Sequence, residues 1–185
     1  MHRARDSALL DLLEETPSSS HYGSVWRVVR EGRDPLRCSR SFGRWDDGSV
    51  DVLYTAMERK GAIAEMRYHL TKGQPVFPSR VRFELHEIHC RVGNIAVLDF
   101  SMLGRLGIPE DQYGRLPYPS LRIEYARTQQ IGEAACFIGF DALQVPNARW
   151  PCKNIVFFCE RLESDALTEH RNDGLVDWEE VTDGA

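Results

Sequence analysis

Residues 42–65 read FGRWDDGSVDVLYTAMERKGAIAE, and the order of elements in this stretch decides the architecture. Asp47-Gly48 is a turn signal. Val50 to Thr55 is a β-branched and aromatic run that predicts a strand, and Met57 to Leu70 predicts a helix with Ile63, Met66 and Leu70 on its packed side. Loop, strand and helix thus follow one another closely. They carry a guanidinium (Arg44), a phenol (Tyr54) and a carboxylate (Glu65), the last at the edge of the apolar stripe. Groups of such different chemistry on three adjoining elements describe a site as well as a packing unit.

Upstream, Asp6 to Glu15 predicts a helix through Leu9, Leu10, Leu12 and Leu13, ended by Pro17 and the serines at 18–20. Ser24 to Arg30 alternates as a strand, with Val25, Arg27 and Val29 on one side and Trp26 and Val28 on the other. An arginine sharing a strand face with valines is unusual. Glu31 to Ser49 then reads as a long polar loop, and ordered loops of that length carry function disproportionately. Downstream, Val81 to Ile88 and Ile95 to Phe100 predict two strands divided by a turn at Val92-Gly93. Short helical pieces fill Ser101 to Tyr113, and a helix opens at Pro119-Ser120 and stops at Gly139. Asp141 to Val145 and Asn154 to Cys159 predict two further strands, and the acidic end beyond Glu160 predicts a helix with a ragged tail. Short strands with helices inserted irregularly argue an α+β fold, not a regular βαβ winding.

At 185 residues, with 42% hydrophobic and 28% charged, the chain suits one folded domain. No apolar run approaches the roughly 20 residues of a membrane span, and Asp11 breaks the only candidate signal core, which predicts a cytoplasmic protein. Five cysteines without a CxxC pair predict reduced, mostly buried thiols, with neither a disulfide framework nor structural zinc. The net charge of -5 is unevenly spread: residues 160–185 hold nine acids and two arginines, so the remainder is slightly cationic. Only three of the 23 basic residues are lysines, which fits either genomic base composition or a demand for bidentate phosphate binding.

Neither a GxGxxG turn nor a P-loop is present. His86, His89 and Cys90 lie close in sequence, but His86 and His89 point to opposite faces of a strand, so no metal site is expected. Cys152 beside Lys153 suggests a reactive thiol, yet no histidine follows nearby. A basic loop between Arg27 and Arg44 suits nucleic acid backbone, but the near-neutral body argues against a phosphate-tracking surface.

Six blocks in order resemble the signature of RES-domain proteins: Trp26-Arg27-Val28-Val29, Phe42-Gly43-Arg44-Trp45, Leu53-Tyr54-Thr55-Ala56, Ala62-Ile63-Ala64-Glu65, Gln130-Ile131-Gly132 and Val145-Pro146-Asn147-Ala148-Arg149. The resemblance covers roughly Ser24 to Glu160. It divides the chain into an N-terminal helix and lead-in (1–22), a RES catalytic domain (23–160) and an acidic helix or tail (161–185). It implies a mixed, mainly antiparallel split sheet similar to that of ADP-ribosyltransferases. It also implies a toxin of a RES-Xre toxin-antitoxin pair that consumes NAD without a metal. The partner implied is a cognate Xre-type helix-turn-helix antitoxin, with a protein target of ADP-ribosylation and a homodimer within the complex as further partners. Neither nucleic acid nor membrane is implied. Arg27 and Glu65 match the family's Arg and Glu, while Asn147 stands where its Ser is expected.

The chemistry agrees with the resemblance. Loss of nicotinamide develops positive charge on the ribose, which one carboxylate stabilises, and the pyrophosphate calls for planar cationic donors. The catalytic candidates are therefore Glu65, Arg27 and Tyr54, and the NAD-binding candidates are Arg27, Arg44, Tyr54 and Asn147. A nucleic-acid-binding or RNA-cleaving toxin and a noncatalytic interaction module are the competing classes.

Overall fold

Asp6 caps the first helix, its carboxylate accepting from the amides of Ala8 and Leu9, and Leu9 and Leu13 one turn apart are the buried side of α1 (Ser7–Glu14). The structure, a computed structural model, describes residues 6–71, 81–114 and 126–181. The strands are β1 (Ser18–Arg30), β2 (Val52–Ala56), β3 (Phe83–Val97), β4 (Ala142–Pro146), β5 (Lys153–Phe158) and β6 (Leu167–Leu175). The helices after α1 are α2 (Arg59–Thr71), α3 (Phe100–Arg105), α4 (Glu110–Tyr113) and α5 (Ala126–Ile138). Short 3-10 turns cover Cys159–Arg161 and Trp178–Val181.

The sheet runs β1-β2-β5-β4-β3-β6, and β3 also pairs with β1, so five strands return on themselves. All pairings are antiparallel except the short β3–β4 ladder from Ile95↔Ala142 to Val97↔Gln144. The β1–β3 ladder is long, from Ser18↔Ala96 to Arg30↔Phe83, whereas β1 meets β2 at the single pair Trp26↔Ala56. Beyond that pair the two strands separate. The α+β class and the mainly antiparallel split sheet are therefore as the sequence implies.

Three apolar clusters fill the molecule. Val25, Leu53, Ile88, Ile95, Ala142, Ile155 and Phe157 all come from strands and form one of them. Leu9, Leu13, Leu98, Leu103, Ile131 and Ala135 pack α1, α3 and α5 against the sheet. Val28, Ala62, Ile63, Leu85 and Val176 seat α2 on β1 and β3.

Four expectations need correction. The serines at 18–20 belong to β1, and β3 passes straight through Val92-Gly93 without turning, because Val92 is held in the ladder opposite His21. Gly93 marks no turn but an irregularity within the strand: Gly93 and Asn94 of β3 together stand across from Ser20 of β1, between the pairs Ser19↔Ile95 and His21↔Val92. Past residue 160, Leu167–Leu175 is a strand on the outer edge of β3, so the acidic segment is sheet where a helix is predicted. Its polar residues fit an edge whose outer side faces solvent. Finally, Cys38 and Cys159 form a disulfide, while Cys90, Cys136 and Cys152 are free. The start expected for the helix at Pro119-Ser120 lies outside the described residues.

Close approach explains one glycine. A Cβ on Gly132 of α5 would stand 2.0 Å from the carbonyl oxygen of Trp45, so this helix docks directly on the backbone of the 31–49 loop. Gly132→Ala is expected to cost about 3 kcal/mol, seen as a lowered urea midpoint. The disulfide ties the same loop to the end of β5 across 121 residues of chain. Its reduction is expected to cost about 2–5 kcal/mol; matched oxidised and reduced samples that unfold at the same urea concentration would show that the two sulfurs are not joined in solution.

Candidate active site

Where β1 and β2 part, a cavity of about 340 Å³ opens between the split sheet, the 31–49 loop and α2. β1 supplies Trp26, Arg27 and Val28 to its wall, and β2 supplies Tyr54, Thr55 and Ala56. Across the β2–β5 ladder, Tyr54 and Ala56 stand opposite Val156 and Asn154, which also reach the cavity. α2 contributes Ala62, Glu65, Met66 and His69, one stripe at helical spacing. Arg27, Arg44, Tyr54 and Glu65 therefore share a single cavity; Asn147 does not line it.

Arg27 reaches into the split and donates through Nη1 to the carbonyls of Pro35 (2.5 Å) and Arg37 (3.0 Å). Part of its fork is thus spent on orienting the loop. Burial pulls its pKa down to about 10, opposed by the nearby Asp34 carboxylate, so the group is still cationic at neutral pH. Arg44 lies over the ring of Tyr113, with its guanidinium carbon 4.6 Å from the ring centre. Burial raises the Tyr113 hydroxyl to about 12, and it donates to the Pro146 carbonyl at 2.7 Å.

The position of Arg44 depends on Asp46, which is fully buried. Its carboxylate accepts from the Phe42 amide (2.8 Å), the Gly43 amide (2.9 Å), the Ser41 hydroxyl (2.8 Å) and the Tyr54 hydroxyl (3.0 Å). Phe42 is held at φ 52, a left-handed backbone rare for a side chain of that size. From the far side, Gln129 of α5 donates to the Gly43 carbonyl at 2.9 Å. The Tyr54 hydroxyl also accepts from the Trp45 amide at 3.0 Å. Burial, then Asp46, raise its pKa well above 10, keeping it a donor. Its hydroxyl is consequently committed to the loop, and the ring is what Tyr54 offers the cavity.

Glu65 accepts through Oε1 from the Ala148 amide (3.0 Å) and from Asn154 Nδ2 (3.4 Å). Oε2 makes no hydrogen bond among the described residues. Asn147 sits behind this arrangement, 8% exposed. Its Nδ2 donates to Asn154 Oδ1 (2.8 Å) and to the Gly61 carbonyl (3.3 Å), and its Oδ1 accepts from the amides of Arg149 and Trp150. Asn147, expected at the substrate, thus lies behind the cavity wall, where it holds the 147–150 turn and bonds to Asn154, the partner of Glu65. Arg149 lines the cavity with its guanidinium carbon 3.4 Å above the Tyr68 ring centre. Cys152 fails as a nucleophile, since burial lifts its thiol to about 11.

Sequence reasoning missed Asp46, Tyr113 and Asn154 and gave Arg149 no role. Asp46 was within reach of inference, because an acid directly after a buried tryptophan in a loop without regular hydrogen bonds has backbone amides to satisfy. Asn154 carried no local signal: its contact with Glu65 joins positions 89 apart.

Split sheet and cavity together define an α+β protein with one carboxylate and three guanidinium side chains at the split. The RES domain family model matches residues 24–179, and the chain belongs to the RES-domain family. In fold it is similar to a chain of the crystal structure of the M. tuberculosis MbcT-MbcA toxin-antitoxin complex, with a TM-score of 0.77 at 19% identity, covering 96% of this chain and 98% of that one. No curated protein matches the chain.

Asp46→Asn places an amide N–H against a ring of donors, or leaves one donor without an acceptor. It is expected to cost about 1–3 kcal/mol, measured by urea denaturation, whereas Asp47→Asn in the exposed turn is expected to stay within about 0.5 kcal/mol of the native protein.

Proposed function

We propose that this protein cleaves NAD at the bond between nicotinamide and ribose, and that it is the toxin of a toxin-antitoxin pair. The observation that carries the reading is the composition of the cavity wall: Arg27, Arg44 and Arg149 against the single carboxylate of Glu65. Three guanidinium groups suit a ligand with two phosphate charges, and planar forks match phosphate oxygens better than ammonium groups do. Membership of the RES-domain family and the fold shared with a chain of a toxin-antitoxin complex support the same reading.

In this mechanism Arg27 and Arg44 hold the pyrophosphate, with Arg149 as a further cation. The ring faces of Tyr54 and Tyr113 border the space for the nicotinamide ribose. The C1–N bond breaks with its electron pair leaving on nicotinamide, which departs neutral because the pyridinium charge is discharged in the step. The ribose carbon is left as an oxocarbenium-like centre, and the Glu65 carboxylate stabilises that charge. Ala148 N–H and Asn154 fix one carboxylate oxygen and leave Oε2 for the sugar. A nucleophile then closes the new bond to C1, giving ADP-ribosylated protein, free ADP-ribose from water, or ADP-ribose 1-phosphate from phosphate.

For the partner, we propose an Xre-type antitoxin whose chain end enters the cavity beside Arg27 and Arg44, its carboxylate standing in for phosphate. Occupation of that cationic wall would exclude the substrate directly.

Nicotinamide release from NAD by the purified chain is the decisive measurement. Glu65→Gln keeps the shape and removes the charge, and it is expected to lower turnover by about 10²–10³-fold. Near-native turnover would remove Glu65 from the chemistry. Arg44→Ala is expected to raise KM more than it lowers kcat, because phosphate contacts are already made in the ground state. Mass spectrometry of lysate for ADP-ribose adducts separates transfer to protein from release to water or phosphate.

A further inference from the structure

Glu87 and His89 of β3 and His170 of β6 bring a carboxylate and two imidazoles together on the outer part of the sheet, away from the cavity wall. One ligand atom from each lies within 4.8 Å of the others. Glu87 and His89 are two residues apart on a strand and share a face. His170 reaches that face through a bulge: Glu87 pairs with Arg171 and Ile88 with Glu169, which leaves His170 as the extra residue. In an unbroken ladder His170 would stand opposite Ile88 and point to the buried side. Bulges of this kind re-aim side chains. The two imidazole rings lie parallel, with centres 3.9 Å apart and an interplanar angle of 10°.

The carboxylate is held in place as a ligand would be. Ser24 of β1 donates to Glu87 Oε1 at 2.5 Å, and Arg171 contacts Oε2 at 3.2 Å. Such outer bonds fix the orientation of metal-binding side chains. Two imidazoles with one carboxylate suit zinc, cobalt, nickel or copper, whereas magnesium and calcium favour oxygen-only sets. Zinc–nitrogen bonds of about 2.0–2.1 Å put neighbouring tetrahedral ligand atoms roughly 3.4 Å apart. Both imidazoles are on exposed residues, so rotation of the rings is the movement that closing from the 4.8 Å limit to that spacing requires.

We propose that Glu87, His89 and His170 bind a divalent transition-metal ion of the zinc class, with water completing the coordination and Arg171 competing for Glu87. The ion fastens β6 to β3. β6 in turn supports α2: Asp173 pairs with Arg59 at 3.4 Å, and the carbonyls of Trp178 and Val181, in the 3-10 turn that follows β6, accept from Arg67. A metal at the bulge thus steadies the helix that bears Glu65 without entering the cavity.

Titration of the chelator-treated full chain with Zn²⁺ by calorimetry, and with Co²⁺ by visible absorption, tests the site. The native protein is expected to take up one equivalent and to gain thermal stability with Zn²⁺ but not with Mg²⁺. His89→Ala, His170→Ala and Glu87→Gln are each expected to weaken binding at least tenfold, and Arg171→Ala to tighten it. Circular dichroism and the metal-free Tm establish that each variant folds. Absence of binding by the native chain, one-equivalent binding that survives the His89→Ala/His170→Ala double substitution, or weaker binding by Arg171→Ala would overturn the assignment.

Discussion

The buried carboxylate of Asp46 is the constraint on which the site depends. Removing an ionised group from water is costly unless its oxygens are fully bonded, and here two backbone amides and two hydroxyls supply the bonds. The folded loop delivers all four donors to one point. Arg44 and Trp45 lie inside the segment so closed, and Tyr54 is joined to it through its hydroxyl. The loop therefore holds its shape without regular secondary structure. Gln129 and the close approach at Gly132 press α5 against its other side.

The cavity has a simple origin in strand pairing. β1 and β2 touch at one residue pair, and the backbone groups and side chains beyond it are released to face a common space. A continuous ladder there would pair Arg27 with Thr55 and Val28 with Tyr54 and leave no opening between the strands. The split also explains an arginine among valines on β1: it stands where the strand leaves its neighbour, with loop carbonyls in place of the missing ladder. Glu65 is reached from the other direction by α2, whose stripe at 62, 65, 66 and 69 faces the opening.

Much of this was legible in the sequence, and the exceptions have physical causes. α1, α2, β2, β4 and β5 follow from local periodicity, and Arg27, Arg44, Tyr54 and Glu65 meet in one cavity as expected. A turn at Val92-Gly93 does not form because the pairing with β1 on both sides and with β4 beyond it carries β3 through as one strand, with the glycine absorbed in a local irregularity. The C-terminal segment failed for the opposite reason: its charges mask a strand that exists only because β3 offers it an edge. The Cys38–Cys159 bond joins residues too far apart in sequence for spacing to reveal. Asn147 follows from its place in a motif, whereas its position behind the wall, bonded to Asn154 and the 147–150 turn, depends on contacts that the motif does not carry.

β6 has a consequence for how copies of the molecule meet. It covers the outer side of β3 from Glu84 to Cys90, and its own far side carries Glu169, His170, Arg171 and Asp173 in place of an apolar run. An open strand edge invites another chain to add to the sheet and seed aggregation, and closely spaced charges of both signs, with two bulges bending the strand, make such addition unfavourable. The mixed charges and irregular register of β6 thus give the sheet an outer border that is poorly suited to extension by a further strand.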